Sequence, residues 1–297
     1  MSLNGLERRI AIVTPSFARD FELCTQLNES VLTYLPPPTK HYLMVDGKDL
    51  DLFRVLENDR TVVAAIEDVI PSGYFKLPYV KKWWFSTPAL VPAKGWLIQQ
   101  LAKISTARFL QEAVQVNVDS DVRFMRKVDP ALFVQDGKTR LYREPGGIAS
   151  LKPHVKWHKN VCRLLNVAPD SLPLDDYVGN VISWNPKIVI EACTRVESVT
   201  GKPWHVAFTR GRLVSEYFMY GLYVDKVIGQ EAAHVWIDER SWCHTHWGPE
   251  PLAPAKVDDF VNSIREDDVA FSIAGYTATD HDTTQRTTKL VLERVAR

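Results

Sequence analysis

The sequence predicts an α/β fold with a mainly parallel central sheet and helices on both of its faces. Two observations support this. In the first half of the chain, short apolar segments alternate with a segment of helical period. Near the middle, Val114, Val116 and Val118 alternate with polar residues and lead into two aspartates. Strand–helix–strand order predicts parallel pairing through right-handed crossovers.

The first half supplies three predicted strands and one helix. The strands are expected at residues 9–14, 41–45 and 61–66, where apolar residues cluster. A helix is expected between the first two strands, because Phe21, Cys24, Val31 and Tyr34 recur at helical spacing before three consecutive prolines. Sheets of this kind place their ligands at the carboxyl ends of the strands.

The middle of the chain is expected to be irregular over residues 68–95, which contain several prolines. A helix is predicted at residues 95–104, with Leu97, Leu101 and Ile104 on one face. The strand at residues 114–118 follows it.

Helices in the second half are predicted from their start signals. Asn185-Pro186 provides a cap and a proline at the first position, with the helix ending near Gly201. Further helices are expected at residues 215–224, capped by Ser215, and at 282–295. Residues 235–246 are predicted to be strand and loop. Because no linker separates the two halves, we expect residues 1–297 to form one compact domain.

Charge and cysteine content exclude several classes of protein. The 36 Lys and Arg residues balance the 36 Asp and Glu residues, whereas a bulk nucleic-acid binder normally has a basic excess. No segment approaches the roughly 20 apolar residues of a membrane span. The four cysteines are scattered and include no CxxC pair. We therefore expect a cytoplasmic protein with reduced thiols, no integral membrane segment and no nucleic-acid partner.

Asp119 and Asp121 are the strongest candidate functional residues. Two carboxylates at i and i+2, just beyond a buried strand, can turn toward one cation. Mg²⁺ and Mn²⁺ prefer hard oxygen ligands and often share a site with substrate phosphates. Aspartates are also common in ordinary turns, but this position in an α/β chain favours a metal site.

Several short motifs occur in a characteristic order between residue 10 and about 247. They are residues 12–20, Gly95-Trp96 with Gln99-Gln100, Asp119-Ser120-Asp121, Ser215-Glu216-Tyr217 with Tyr220-Gly221, and residues 243–247. With them the chain resembles glycosyltransferases of the GT-A fold. More narrowly, it resembles a bacterial family of uncharacterised glycosyltransferase-like proteins with a DxD motif.

The resemblance implies transfer of a sugar from a nucleotide-sugar donor, which we expect to be UDP-linked, with Mn²⁺ or Mg²⁺. A Rossmann-like half at about residues 8–125 would bind the donor, and about residues 126–297 would form the acceptor side. The acceptor would be a glycan or another hydroxyl compound. By analogy with the family it is a surface glycan, with the protein peripheral at the inner membrane face.

The turn after the first strand is expected to border the donor, because it faces the ligand crevice of a parallel sheet. Thr14, Pro15 and Ser16 would shape this turn, and Arg19 would contact the nucleotide phosphates. Asp20 either contacts the nucleotide or caps the helix.

Four further residues are candidates for the donor site. Asp46 follows the second strand and is placed to meet the ribose or base, although a simple turn before Gly47 is equally compatible. Gln100 and Lys103 share one helix face, and the resemblance implies that this face borders the donor; a solvated surface is the alternative. Ser120 lies between the two aspartates.

His244 is the predicted third metal ligand, with His246 as the alternative. In an extended segment the two rings share one face, and in many GT-A enzymes a late histidine completes the metal site. A packed or exposed histidine is the competing interpretation.

Glu216 and Asp176 are the candidate catalytic carboxylates. Glu216 lies at a predicted helix start, where the helix dipole favours a negative charge, and an inverting transferase needs a general base. Asp176 belongs to a polar-aromatic cluster with Asp175, Tyr177 and Trp184 that the resemblance assigns to the acceptor. Both carboxylates could instead be ordinary helix-start residues.

Two other functions remain open. A sugar-nucleotidyltransferase on a similar fold is disfavoured because no glycine-rich loop follows the first strand. A non-catalytic carbohydrate- or nucleotide-binding protein would not need the aspartate pair.

Overall fold

The computed structural model describes residues 9–76, 83–85, 91–110, 113–211 and 213–296. In chain order the strands are β1 (Arg9–Ser16), β2 (Lys40–Val45), β3 (Thr61–Ala65), β4 (Tyr74–Lys76), β5 (Trp83–Phe85), β6 (Val91–Ala93), β7 (Ala113–Asn117), β8 (Val122–Phe124), β9 (Val134–Gln135), β10 (Lys138–Tyr142), β11 (Glu144–Ile148), β12 (Leu174–Asp176), β13 (Ile182–Trp184), β14 (Val235–Asp238), β15 (Cys243–His246) and β16 (Ala270–Ile273).

The α-helices, in the same order, are α1 (Phe21–Tyr34), α2 (Leu50–Phe53), α3 (Ile66–Val69), α4 (Gly95–Thr106), α5 (Lys152–Leu165), α6 (Pro186–Thr200), α7 (Trp204–Gly211), α8 (Glu216–Tyr223), α9 (Val257–Asn262) and α10 (His281–Val295). Short 3-10 turns join several of them, and a π-helical turn, Val224–Ile228, extends α8.

The central sheet has the strand order β13-β7-β1-β2-β3. The pairs β7–β1, β1–β2 and β2–β3 are parallel, and β13 is antiparallel to β7. The mainly parallel sheet predicted from the sequence is confirmed, and its predicted strands differ from the observed ones by only one or two residues at their ends.

Helices cover both faces of this sheet, and its central strand β1 is apolar on both sides. In β1, Ile10 and Ile12 pack with Leu27 and Val31 of α1. The alternate residues of β1 join the opposite core, which includes Leu101 of α4. Successive strand residues point to opposite faces, so one strand supplies both cores.

The segment expected to be irregular contains regular structure in its described part. A short helix, α3, opens it, and β4, β5 and β6 form an antiparallel sheet. The expectation for residues 68–95 was therefore wrong at residues 74–76, 83–85 and 91–93, whereas residues 70–73 are irregular as expected. Residues 77–82 and 86–90 lie outside the described part.

The smaller sheets bring the C-terminal part of the chain to the central strands. β8, which follows the aspartate pair, is antiparallel to β16, and β16 is parallel to β15. Residues 243–246 and 270–273 therefore lie beside the segment that leaves β7. Within the described residues, no helix is long and apolar enough to cross a membrane.

Helix starts follow the sequence signals only in part. The Asn185 side chain accepts a hydrogen bond from the Lys187 amide, as the cap motif predicts. Ser215, predicted to cap α8, makes no such bond. The Gln100 Oε1 atom instead accepts from the Glu216 amide, at 3.0 Å. Asp20 likewise makes no capping bond at the start of α1.

Gly221 of α8 is required by the close approach of Tyr177. A Cβ atom at this position would lie 2.2 Å from Tyr177 Cδ1, so the Tyr177 ring or the helix must move. We expect Gly221→Ala to lower the free energy of unfolding by about 1–3 kcal/mol, measured by urea denaturation.

The matched control is Gly95→Ala in the first turn of α4, where an added Cβ meets no atom within 4 Å. Alanine has the higher helix propensity, so this variant should be as stable as the wild type or more stable. Equal stability of both variants would contradict the proposed clash.

Candidate functional site

The aspartate pair lies at the carboxyl end of β7, beside the turn that follows β1. The Val118 amide donates to the Val13 carbonyl at 3.1 Å, which continues the β7–β1 pairing up to Asp119. The Ser120 hydroxyl lies 3.5 Å from the Asp20 carboxylate, across the crevice. The predicted position of the pair is therefore the observed one.

Lys103 is the centre of a buried polar cluster on the α4 side of the sheet. Its Nζ atom donates to Asp119 Oδ1 at 2.8 Å and to the Tyr217 hydroxyl at 2.9 Å, and it lies 3.4 Å from Glu216 Oε1. The Asp119 side chain is 51% exposed, whereas that of Glu216 is 4% exposed. The ammonium group thus connects a buried carboxylate to one that can reach a ligand.

Burial and charge compete at this cluster. Burial alone would lower the pKa of Lys103, but the negative charges of Asp119 and its neighbours outweigh this and hold the pKa well above its usual value. Burial raises the pKa of Glu216, and the nearby Lys103 opposes that rise. Lys103 therefore stays protonated, and the solvated-surface alternative for this residue was wrong.

Polar residues of β7 form the floor beneath Lys103. The Gln115 side-chain amide donates to the Lys103 carbonyl and to Asn117 Oδ1, each at 2.8 Å. In the described part of the structure, the buried Asn117 Nδ2 and Gln100 Nε2 atoms have no hydrogen-bond partner. Gln115 and Asn117 were not predicted from the sequence, although both precede Asp119 in steps of two and so share one face of the strand.

Asp121 is held by the C-terminal part of the chain. Its Oδ2 atom accepts from the Gly275 amide at 2.7 Å, and its Oδ1 atom lies 3.3 Å from the Ser272 hydroxyl. Burial, with the charge of Asp119, raises the pKa of Asp121 to about 6, while these two hydrogen bonds oppose the rise. Nothing in the local sequence indicated either partner.

The structure does not bring His244 or His246 to the aspartates. In the β15–β16 register, Thr245 is opposite Ser272, and the two histidines are opposite Phe271 and Ile273. They thus lie on the sheet face away from Ser272, the residue that contacts Asp121.

Each histidine contacts protein groups on that face. The His244 ring packs 4.5 Å from the Phe260 ring, and its Nε2 atom lies 3.2 Å from the Ser263 hydroxyl. His246 Nε2 lies 3.0 Å from the Glu250 carbonyl. The packed alternative describes both rings in this structure.

The predicted residues of the first turn differ in what they can offer a ligand. Thr14, Pro15 and Ser16 are buried, and the Thr14 hydroxyl lies 3.0 Å from His41 Nε2 beneath the turn. The Arg19 side chain is exposed and 3.6 Å from the Asp20 carboxylate. Of these predicted donor residues, only Arg19 has an exposed side chain.

Asp49, which was not predicted from the sequence, fixes the turn after β1. Asp49 Oδ2 accepts from the Ala18 amide at 3.0 Å. The predicted Asp46 forms an ion pair with Lys76, with Oδ2 and Nζ 2.5 Å apart. The carboxylate of Asp46 therefore already has a partner at the end of β2.

Asp176 belongs to a different cluster from Lys103. Its Oδ2 atom lies 2.9 Å from His154 Nδ1, and its Oδ1 atom accepts from the Val178 amide.

The Asp175 carboxylate accepts from the Gly146 amide. Of the aromatic members, Tyr177 donates to Asp225, and Trp184 is buried against Tyr220. These contacts fix the α5–β12 region and leave Asp176 buried.

The aspartate pair fits a divalent cation by its donor chemistry. Both residues offer carboxylate oxygens, which Mg²⁺ and Mn²⁺ prefer, and such ions usually keep positions for water and substrate phosphates. Among the described residues, no group of three or more His, Cys, Asp or Glu side chains is placed to hold an ion. The expected set of Asp119, Asp121 and His244 is therefore not assembled.

The raised pKa of Asp121 gives a stability prediction. The pKa of about 6, against 3.8 for the unperturbed group, means that Asp121 binds its proton more tightly in the folded state than in the unfolded state. Stability should therefore fall as pH rises from about 4 to 6 and remain reduced above that range. Without divalent cations, Asp121→Asn should raise the free energy of unfolding at pH 7.5 by about 1–3 kcal/mol.

Urea denaturation across this pH range measures the effect. The control is Asp136→Asn, an exposed residue at positive φ where asparagine is well tolerated, and it should follow the wild-type pH dependence. If the stability of Asp121→Asn showed the same pH dependence as the wild type, ionisation of the Asp121 carboxylate would not be what lowers stability.

Comparison with known proteins places this arrangement in a fold and a family. The chain shares the GT-A fold with WbbM, a bifunctional glycosyltransferase, at a TM-score of 0.50 and 10% identity over 98% of this chain and 52% of WbbM. It therefore spans about half the length of WbbM.

Two other solved structures match at a TM-score of 0.45: the galactosyltransferase LgtC in complex with donor and acceptor sugar analogues, and mouse xyloside xylosyltransferase 1. LgtC is 12% identical over 95% of each chain. The mouse enzyme is 11% identical over 89% of this chain and 97% of its own. No curated protein sequence matches. A family model matches residues 7–247, and the chain belongs to that family, a family of unknown function (DUF6492).

Proposed function

We propose that this chain transfers a sugar from a nucleotide-sugar donor to a hydroxyl group of a glycan or other acceptor, with a divalent cation held by Asp119 and Asp121. The position of these aspartates carries the proposal. They lie at the carboxyl end of β7, against the turn after β1, and open α/β sheets bind their ligands at this edge. The fold shared with WbbM supports the same reaction class.

The donor is proposed to lie over the turn after β1. Arg19 is an exposed cation there and would meet the diphosphate. The Asp46–Lys76 pair at the end of β2 would face the ribose or base, for which uridine remains our expectation. When bound, Mn²⁺ or Mg²⁺ would neutralise the charge that builds on the departing diphosphate.

Lys103 is proposed to orient Asp119 toward this site. Its ammonium group takes one carboxylate oxygen, Oδ1, and leaves Oδ2 for the cation or the donor. Because Lys103 is buried and its pKa is raised, it remains charged throughout the neutral pH range. A fixed charge in a low-dielectric site orients a ligand without reorganisation during the reaction.

Glu216 is better suited to positioning Lys103 than to acting as the general base predicted from the sequence. Its side chain is 4% exposed and lies against the ammonium group, so an acceptor hydroxyl has little access to it. We propose that Glu216 holds Lys103, and through it Asp119, in place.

The acceptor is proposed to extend along α4 from Lys103 toward Trp96. Seven residues separate the two positions, which is about 10 Å along a helix and nearly two full turns. The exposed Trp96 ring stacks on Trp157 with centroids 5.4 Å apart, and Trp157 stacks on His154 at 4.5 Å. Such a backed aromatic plane suits the apolar face of a sugar ring.

Turnover of nucleotide sugars tests the proposal. With Mn²⁺ and a panel of UDP- and other nucleotide-linked sugars, we expect slow release of the nucleoside diphosphate, abolished by EDTA. Asp121→Asn should lower this rate about 100-fold or more, because the cation loses a ligand. Asp136→Asn, with the same change of charge at an exposed site, should leave the rate unchanged.

Two outcomes would point to other functions. Formation of a nucleotide sugar from a sugar 1-phosphate and a nucleoside triphosphate would indicate a sugar-nucleotidyltransferase. Cation-dependent binding of nucleotide sugars without turnover in the presence of a broad set of acceptors would indicate a binding protein.

Glu216→Gln separates a positioning residue from a general base. Loss of a general base typically costs 10²–10⁴-fold in rate. Because Lys103 keeps its contacts with Asp119 and Tyr217, we expect less than about a tenfold loss and an unchanged pH–rate profile. A loss of 100-fold or more, with disappearance of one limb of the profile, would restore the base role.

A further inference from the structure

Helix α5 carries a row of exposed cations. Its sequence, KPHVKWHKNVCRLL, contains no acidic residue. The cations recur at i, i+4, i+7 and i+11, which places them on one face of the helix over about 16 Å. We call this the α5 cationic face; its members are Lys152, Lys156, Lys159 and Arg163, all exposed.

The opposite face of α5 is anchored in the protein core. Val161, Cys162 and Leu165 are buried there, and the His158 ring lies edge-to-face on Phe218 of α8. The helix is therefore a fixed element that presents its cations outward.

The cations of this face lack acidic partners. Within the described residues, no ion pair involves Lys152, Lys156 or Lys159, and the hydrogen bond of Arg163 is to Asn160, three residues earlier on the same helix. Nearby Asp170 is paired with Lys226 and His158 instead. Since the whole chain has no net charge, this concentration of positive charge is local.

Exposed leucines flank the cationic face. Leu151 directly precedes α5 and is 52% exposed. Leu213 is 39% exposed, and its carbonyl accepts a 2.7 Å hydrogen bond from the Asn160 side chain of α5. Cations together with exposed apolar side chains are typical of helices that lie in a membrane interface.

We propose that the α5 cationic face docks this protein on an anionic lipid bilayer. Lysines close to such a surface each contribute attraction that falls off within a Debye length, and the leucines would enter the headgroup region. A phosphate backbone would satisfy the cations but would give the leucines no apolar contact, so the lipid surface is the better fit. The proposal does not depend on the proposed reaction.

Vesicle co-sedimentation of the full chain tests this directly. We expect binding to vesicles of phosphatidylglycerol and phosphatidylcholine, and much weaker binding to vesicles of phosphatidylcholine alone. Replacing Lys152, Lys156 and Lys159 by glutamine should weaken binding to the anionic vesicles by about tenfold or more. The control replaces Lys138, Lys256 and Lys289, three exposed lysines elsewhere, and should retain wild-type binding.

A second variant tests the apolar component. Leu151→Ser with Leu213→Ser should reduce the binding that remains at high salt, where charge attraction is screened. The proposal would be overturned by absence of vesicle binding, by equal binding to neutral vesicles, or by an equal loss in the control. Binding to RNA in place of vesicles would also overturn it.

Discussion

The burial of one ammonium group between α4, β7 and α8 organises the candidate site. Lys103 can be buried because Asp119, Glu216 and the Tyr217 hydroxyl surround its Nζ atom. Removing one partner of a buried pair leaves an uncompensated charge, which typically costs 3–5 kcal/mol. The three elements are therefore held in register by charge as well as by apolar packing. The same contact determines which oxygen of Asp119 remains available to a ligand.

The C-terminal segment completes the site from the other side. Ser272 and Gly275 bind Asp121, and both lie beyond residue 247, where the match to the family model ends. Asp121 is thereby partly buried, and its pKa rises to about 6. We therefore expect the ionised carboxylate to lower stability when no cation is bound, and perturbed pKa values of this kind are common at functional sites.

The sequence predicted the central sheet and the aspartate pair because both depend on local signals. The periodicity of a strand or a helix is visible within a few residues. The residues that directly follow a parallel strand lie at the carboxyl edge of the sheet. The partners of Asp121 could not be predicted in this way, because they lie 151 and 154 residues away. The spacing of His244 and His246 correctly placed both rings on one face, but it could not indicate which face meets β8.

The central claim is that Asp119 and Asp121 hold a cation together with a nucleoside diphosphate. A crystal structure of the protein grown with Mn²⁺ and UDP, with anomalous diffraction data, tests it most directly. The account predicts an anomalous peak about 2.2 Å from a carboxylate oxygen of Asp121 and within reach of both phosphates. The diphosphate should lie between this peak and Arg19. An ordered nucleotide bound elsewhere, with no peak at the aspartates, would contradict the account.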